Sequence, residues 1–229
     1  MKYVLEVCLI ALAAGSFVPP TAAQALAMQQ GISVELVPTH NASAVPDADG
    51  EDAFIATVTE NSLVYLGVNL ITLPELAEKA RSTPFKRGQA IYIKADAGTP
   101  YATVSRVLQA TGGPIPQVLL TSQPASAESS TIVPPEGLNV SVGSTFPSGT
   151  VATVVQLFPS LQGRPLLKIN NDEISWSALE STLRRHFQKG DEKTVLLRAD
   201  TRLPFADVVH AVDACRAAGA AVHLAAPGI

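Results

Sequence analysis

LLRADTRLPFADV, residues 196–208, reads as a strand that breaks at Asp200 and restarts as a helix after Pro204. The same grammar stands 104 positions earlier as YIKADAGTPYATV, residues 92–104. Laid over each other without a gap, the two pair Ala95 with Ala199, Asp96 with Asp200, Pro100 with Pro204, Ala102 with Ala206 and Val104 with Val208. Outward from there the spacing carries to Ala110 and Ala214, Val118 and Val222, and Leu120 and Leu224. Character is kept where identity is not: Lys94 matches Arg198, Tyr101 matches Phe205, and Leu108 matches Val212. The chain therefore reads as a tandem duplication.

A length of 229 residues accommodates two units of roughly 90 to 95 residues, each large enough for its own core. With 47% hydrophobic residues and 5% aromatic, those cores are built from Ala, Val, Leu and Ile. The composition is that of a globular chain. The net charge of −4 is mild, and neither unit carries the basic stripe of a nucleic-acid binder. Cys8 lies in the apolar N-terminal run, and Cys215 follows Val208 and Val212 at helical spacing, which suits a small core residue better than a reactive thiol.

Each unit is expected to run strand, hairpin, helix, strand, helix, strand. In the first, ISVELV (32–37) alternates like an edge strand, and AFIATVT and SLVYLGV flank Glu60 and Asn61 as a hairpin. TLPELAEKARS is a helix capped by Thr72, QAIYIKAD a strand, TPYATVSRVLQATGG a helix opening at Thr99 and Pro100, and PQVLLTS a strand. After the Ser-, Ala- and Pro-rich spacer, LNVSVG, TVATVVQLF, LLKINNDEISW, SALESTLRRHF, KTVLLRAD, PFADVVHAVDACRAAG and AVHLAA repeat the order. The expected fold class is α+β: two tandem two-layer domains, each a small mixed sheet under two helices, after an N-terminal apolar helix. The boundaries are 1–30 for a membrane anchor or signal segment, 31–124 for the first domain, 125–136 for the linker and 137–229 for the second domain.

MKYVLEVCLIALAAGSFVPPTAAQALAMQQ opens the chain. One reading is a secretory signal, with Lys2 before an apolar run and an Ala-x-Ala site at Ala23 to Ala25. The other is a membrane helix over 7–28, which at 1.5 Å per residue reaches roughly 33 Å and crosses a bilayer core. In both, the bulk of the chain lies beyond the cytoplasmic membrane, as a single-pass inner-membrane protein or as a periplasmic one.

Several residues invite a chemical reading. Asp96 and Asp200 are acids at strand ends, whose expected role is to accept hydrogen bonds from the turn and from the next helix's N-terminus. His210 with Asp207 and Asp213 has helical spacings that suit a metal or a triad, but equally a solvated helix face, and no G-x-S-x-G nucleophile motif accompanies it. His223 stands where the first unit has Leu119, and His40 lies in a loop. GSTFPSGT lacks the Lys and the strand-to-helix context of a phosphate loop. No catalytic activity, cofactor or metal is expected.

VLLRADTRLPFADVVHAVDACRAAGAAVHLAAPG resembles the end of the periplasmic domain of the ExbD/TolR family, small subunits of proton-driven motors in Gram-negative envelopes. LLKINNDEISWSALESTLRR resembles that family's hairpin strand and first helix, and GISVELVP its first strand after the membrane. The likeness implies strand-to-helix corners at Asp96, Pro100 and Tyr101 and at Asp200, Pro204 and Phe205. It also implies a membrane helix bearing one acidic residue near its start, here Glu6 in VLEVCLIALAAG where the family has Asp. That carboxylate would carry protons between the partner subunit's helices, a task suited to a lone carboxylate in apolar surroundings. By the same resemblance the partners are an ExbB/TolQ-like channel subunit, a TonB/TolA-like protein, a second copy or the chain's own other domain, and peptidoglycan. A soluble periplasmic module that binds peptidoglycan or a peptide is the competing class.

Overall fold

Backbone hydrogen bonding accounts for most of the elements read from the sequence. The computed structural model describes residues 31–124, 134–143, 153–161, 163–188 and 193–225. The expected N-terminal helix, with Glu6 and Cys8, lies outside them, as does most of the spacer. Among the described residues no helix is long and apolar enough to cross a membrane. The first unit holds β1 (Ser43–Ala44), β2 (Phe54–Val58), β3 (Val64–Leu66), β4 (Asn69–Leu70), α1 (Leu73–Ser82), β5 (Ile91–Ala95), α2 (Tyr101–Ala110) and β6 (Gln117–Thr121). The second holds β7 (Glu136–Gly143), β8 (Thr153–Phe158), β9 (Leu166–Ile169), β10 (Asp172–Ile174), α3 (Leu179–Gln188), β11 (Thr194–Ala199), α4 (Phe205–Ala217) and β12 (Ala221–Ala225).

Local chemistry explains the punctuation. Thr72 and Glu75 form a capping box at α1: the Thr72 hydroxyl accepts from the Glu75 N–H, and the Glu75 carboxylate accepts from the Thr72 N–H. Pro74 sits in the first turn, where no intrahelical donor is needed. Between β9 and β10, Asn170 and Asn171 both take positive φ (47° and 82°), the tight hairpin turn that asparagine tolerates.

The two units do not keep separate small sheets, as the sequence reading expects. Their strands join in one order, β10-β9-β8-β11-β12-β7-β6-β5-β2-β3-β4, with β1 also on β7. The order is a palindrome about β7, because β5 corresponds to β11, β6 to β12 and β2 to β8. Residues 136–140 of β7 pair antiparallel with β6, and residues 141–143 pair parallel with β12. One strand therefore covers an edge of each half, which would otherwise present unpaired N–H and C=O groups.

Two further expectations are corrected. Residues 32–37 form no strand; they run over the ends of β5 and β6, where Ala97 N donates to Glu35 O (2.9 Å) and Ser122 N to Val37 O (3.0 Å). The place beside β6 belongs to β7, whose Leu138 and Val140 join the core. The gapless register also fails at the last strand. Ile93 pairs with Leu119 and Leu197 with Leu224, so Leu119 matches Leu224, one residue beyond the sequence alignment. Val118 and Val222, aligned in sequence, belong to different surroundings: Val222 joins the cluster shared with the helices, and Val118 a cluster on the opposite side. A shift of one residue in a strand turns every side chain to the other face.

A single apolar cluster runs through both units and takes in α1 to α4. In the first unit the other sheet face carries Tyr92, Val118 and Leu120, covered by Leu36, Val45 and Ala48 of the leading segment.

Candidate functional site

The repeated corners meet. Asp96 Oδ1 accepts from Gly98 N (3.0 Å), and Asp200 Oδ1 accepts from Arg202 N (2.9 Å), so the same side-chain turn is made twice, each reaching two residues on. The acids differ in their second contacts. Asp96 Oδ2 accepts from Glu35 N (3.0 Å), while Asp200 takes both prongs of Arg202, Nε to Oδ1 at 3.0 Å and Nη2 to Oδ2 at 2.9 Å.

Neither α2 nor α4 has a side-chain cap. Their first N–H groups go to the opposite corner. Tyr101 N donates to Leu203 O (2.8 Å) and Ala102 N to Thr201 O (2.9 Å); in return Phe205 N donates to Thr99 O (2.8 Å) and Ala206 N to Ala97 O (3.0 Å). Exchanging matched residues turns one pair of bonds into the other. Pro100 and Pro204 face each other in an antiparallel bridge at the centre of this pseudo-twofold arrangement. Each corner thus satisfies the orphan donors of the other's helix. Thr99, read as the start of α2, instead donates its hydroxyl to Thr59 O (2.9 Å). Tyr101 and Phe205 follow the two prolines and are each 1% exposed.

The Arg202 guanidinium holds the Asp200 carboxyl below its ordinary value of 3.8. A carboxylate whose folded pKa is depressed contributes stability that is present above the unfolded value and lost as the pH falls through the folded one. Asp200→Asn should therefore lower stability at neutral pH, and its difference from the parent protein should shrink as the pH is taken below 3.8. Urea unfolding of both proteins across that range measures this; a difference independent of pH would refute it.

Asp213 does not gather with Asp207 and His210. Asp213 is turned inward, 8% exposed, and its carboxylate accepts from His40 N (3.2 Å), Asn41 N (2.8 Å) and Asn41 Nδ2 (3.2 Å), while His210 is exposed. Partial burial raises the Asp207 carboxyl, opposed by the nearby charges of His210 and Arg164. Burial pushes the Cys215 thiol up to about 12, which keeps it protonated and unreactive at neutral pH. Among the described residues no three His, Cys, Asp or Glu side chains are placed to hold a metal ion. His40 takes part through its backbone N–H, and His223 sits on β12. GSTFPSGT lies, apart from Gly143, outside the described residues.

The partners of Asp213 could not be found from the sequence, since two backbone N–H groups carry no residue signature. The corner pairing left a fainter trace: two helices that open on Pro with no capping side chain. A groove of about 380 Å³ lies where β7 passes from β6 to β12, lined by Pro114, Pro116, Asn139, Ser141 and Arg216 among others.

A family model described as biopolymer transport protein ExbD/TolR matches residues 114–227, from the loop before β6 to just past β12. It does not extend over the first unit up to residue 113, a narrower match than the resemblance read in both units. No curated protein and no solved structure matches the chain. Over that half of its length, the chain belongs to the ExbD/TolR family of biopolymer transport proteins.

Proposed function

We propose that the chain is a non-enzymatic accessory subunit of a proton-motive-force-driven energy-transduction complex, working beside an ExbB/TolQ-like channel subunit and a TonB/TolA-like protein. In this reading residues 1–30 anchor it in the inner membrane, Glu6 carries protons, and two related domains stand in the periplasm. The family match carries the reading. The reciprocal bonding of matched residues at Pro100 and Pro204 supports a tandem duplication that supplies both members of a pair within one chain. Edge strands β4 and β10 at the two ends of the strand order offer places where a partner's strand can add.

The test is intact mass of the mature protein from a membrane fraction, together with co-purification with the channel subunit. Retention of residues 1–30 and a stable complex are expected. Loss of the first 23 to 25 residues removes Glu6 and leaves a periplasmic module that binds peptidoglycan or a peptide. With the segment retained, Glu6→Gln should abolish energised transport, and unchanged transport would reduce Glu6 to part of an anchor.

A further inference from the structure

The leading segment is held unevenly. Val37 (1% exposed) and Thr39 (2%) are anchored at one end, where Thr39 N donates to Ser122 O (2.9 Å) and Thr39 Oγ1 to Thr121 Oγ1 (2.9 Å). Ala48 (3%) is anchored at the other, in the cluster with Tyr92, Val118 and Leu120. Between them His40, Asn41, Ser43, Ala44, Pro46 and Asp47 are exposed. Ala42 and Val45 are half-buried against the two apolar clusters, and polar contacts hold the rest: His40 and Asn41 donate to Asp213 on α4, Ser43 and Ala44 pair with Gly137 and Glu136 of β7, and Val45 N donates to Pro135 O (2.7 Å) just ahead of β7.

We infer that residues 40–45, with Asp213 as their receptor, form a latch between the two units that opens locally while both halves of the sheet stay folded. A segment with few buried apolar contacts and solvent-facing hydrogen bonds belongs to the low end of a protein's range of local stabilities. The anchors at Val37 and Ala48 need not move when it opens. Closed, the latch satisfies the buried carboxylate of Asp213 and ties the first unit's leader to α4 and β7. Open, it admits water to that carboxylate and leaves the units joined by the paired corners, the β6–β7 ladder and the shared apolar cluster. This inference does not depend on the energy-transduction reading.

Amide hydrogen exchange on the full chain tests it. The amides of His40, Asn41 and Val45 should exchange at least about tenfold faster than those of Ile93 and Leu197, and Asp213→Ala should add a further tenfold or so while leaving Ile93 and Leu197 within about twofold. Exchange of the latch amides only together with the core, or an equal acceleration everywhere, would overturn the latch. A second variant decides the matter if Asp213→Ala fails to fold: Ala44→Cys with Glu136→Cys places two thiols opposite each other across the antiparallel pair. Oxidation should slow exchange over residues 40–45 by about tenfold, reversed by reductant. Unchanged exchange after the disulfide forms, or failure of the disulfide to form, overturns the proposal.

Discussion

Replacing Phe205 with Ala should lower folding stability by about 3–5 kcal/mol, the usual cost of emptying a buried aromatic site. The ring is 1% exposed and belongs to the cluster that runs through both units. Its position is held by its own N–H, donated to Thr99 O at 2.8 Å, so the backbone cannot slide in to fill the space without breaking a bond between the corners. A domain of ordinary stability has about 5–15 kcal/mol to lose, so the variant should be near the edge of folding. Urea unfolding gives the figure directly. Phe205→Leu, which retains most of the volume, should cost markedly less. A loss below about 1 kcal/mol for Phe205→Ala would mean that the corners are not packed as described.

Gly137→Val should be the next most disruptive change. A Cβ at this position would run into Cγ1 of Val118 and lie 3.0 Å from the carbonyl oxygen of Leu119, with Val45 Cγ2 at 3.5 Å. Backbone and a buried valine crowd the site from β6, so the new side chain can be seated only by moving β7. Overpacking of this kind costs about 1–3 kcal/mol. The damage should be local in a telling way: amides of β6 and of residues 136–140 should lose exchange protection before those of β11 and β12, because β7 pairs with the second half through residues 141–143. Equal loss in both halves would argue against a strand divided between two partners. Gly137→Ala should show the same pattern at smaller size.

The corners were legible because their cause is local. Asp96 and Asp200 each bond an N–H two residues on, a turn that depends on side chain and spacing alone, and both copies of that turn stood out in the sequence. The capped helix α1 was legible for the same reason. The last strand misled because β6 is apolar on both faces, with Val118 and Leu120 on one and Leu119 on the other. When both faces are covered, apolar character no longer marks which way a side chain points. Leu119 lies 19 residues after Pro100 and Leu224 lies 20 after Pro204, and nothing in the apolar pattern reports the extra residue.

The sequence by itself determined the two Asp turns, the capped start of α1 and the likeness of the two corners, since these follow from contacts within a few residues. Only the tertiary structure decided that β7 rather than residues 32–37 lies beside β6, that the two corners cap each other's helices, and that Asp213 receives the leading segment. Those choices are made by backbone N–H and C=O groups meeting across 15 to 23 residues in the β6–β7 ladder and about 100 at the corners, and by one carboxylate that takes backbone N–H groups from 172 and 173 residues away. Every residue carries such groups, so their pairing leaves no mark in the order of side chains.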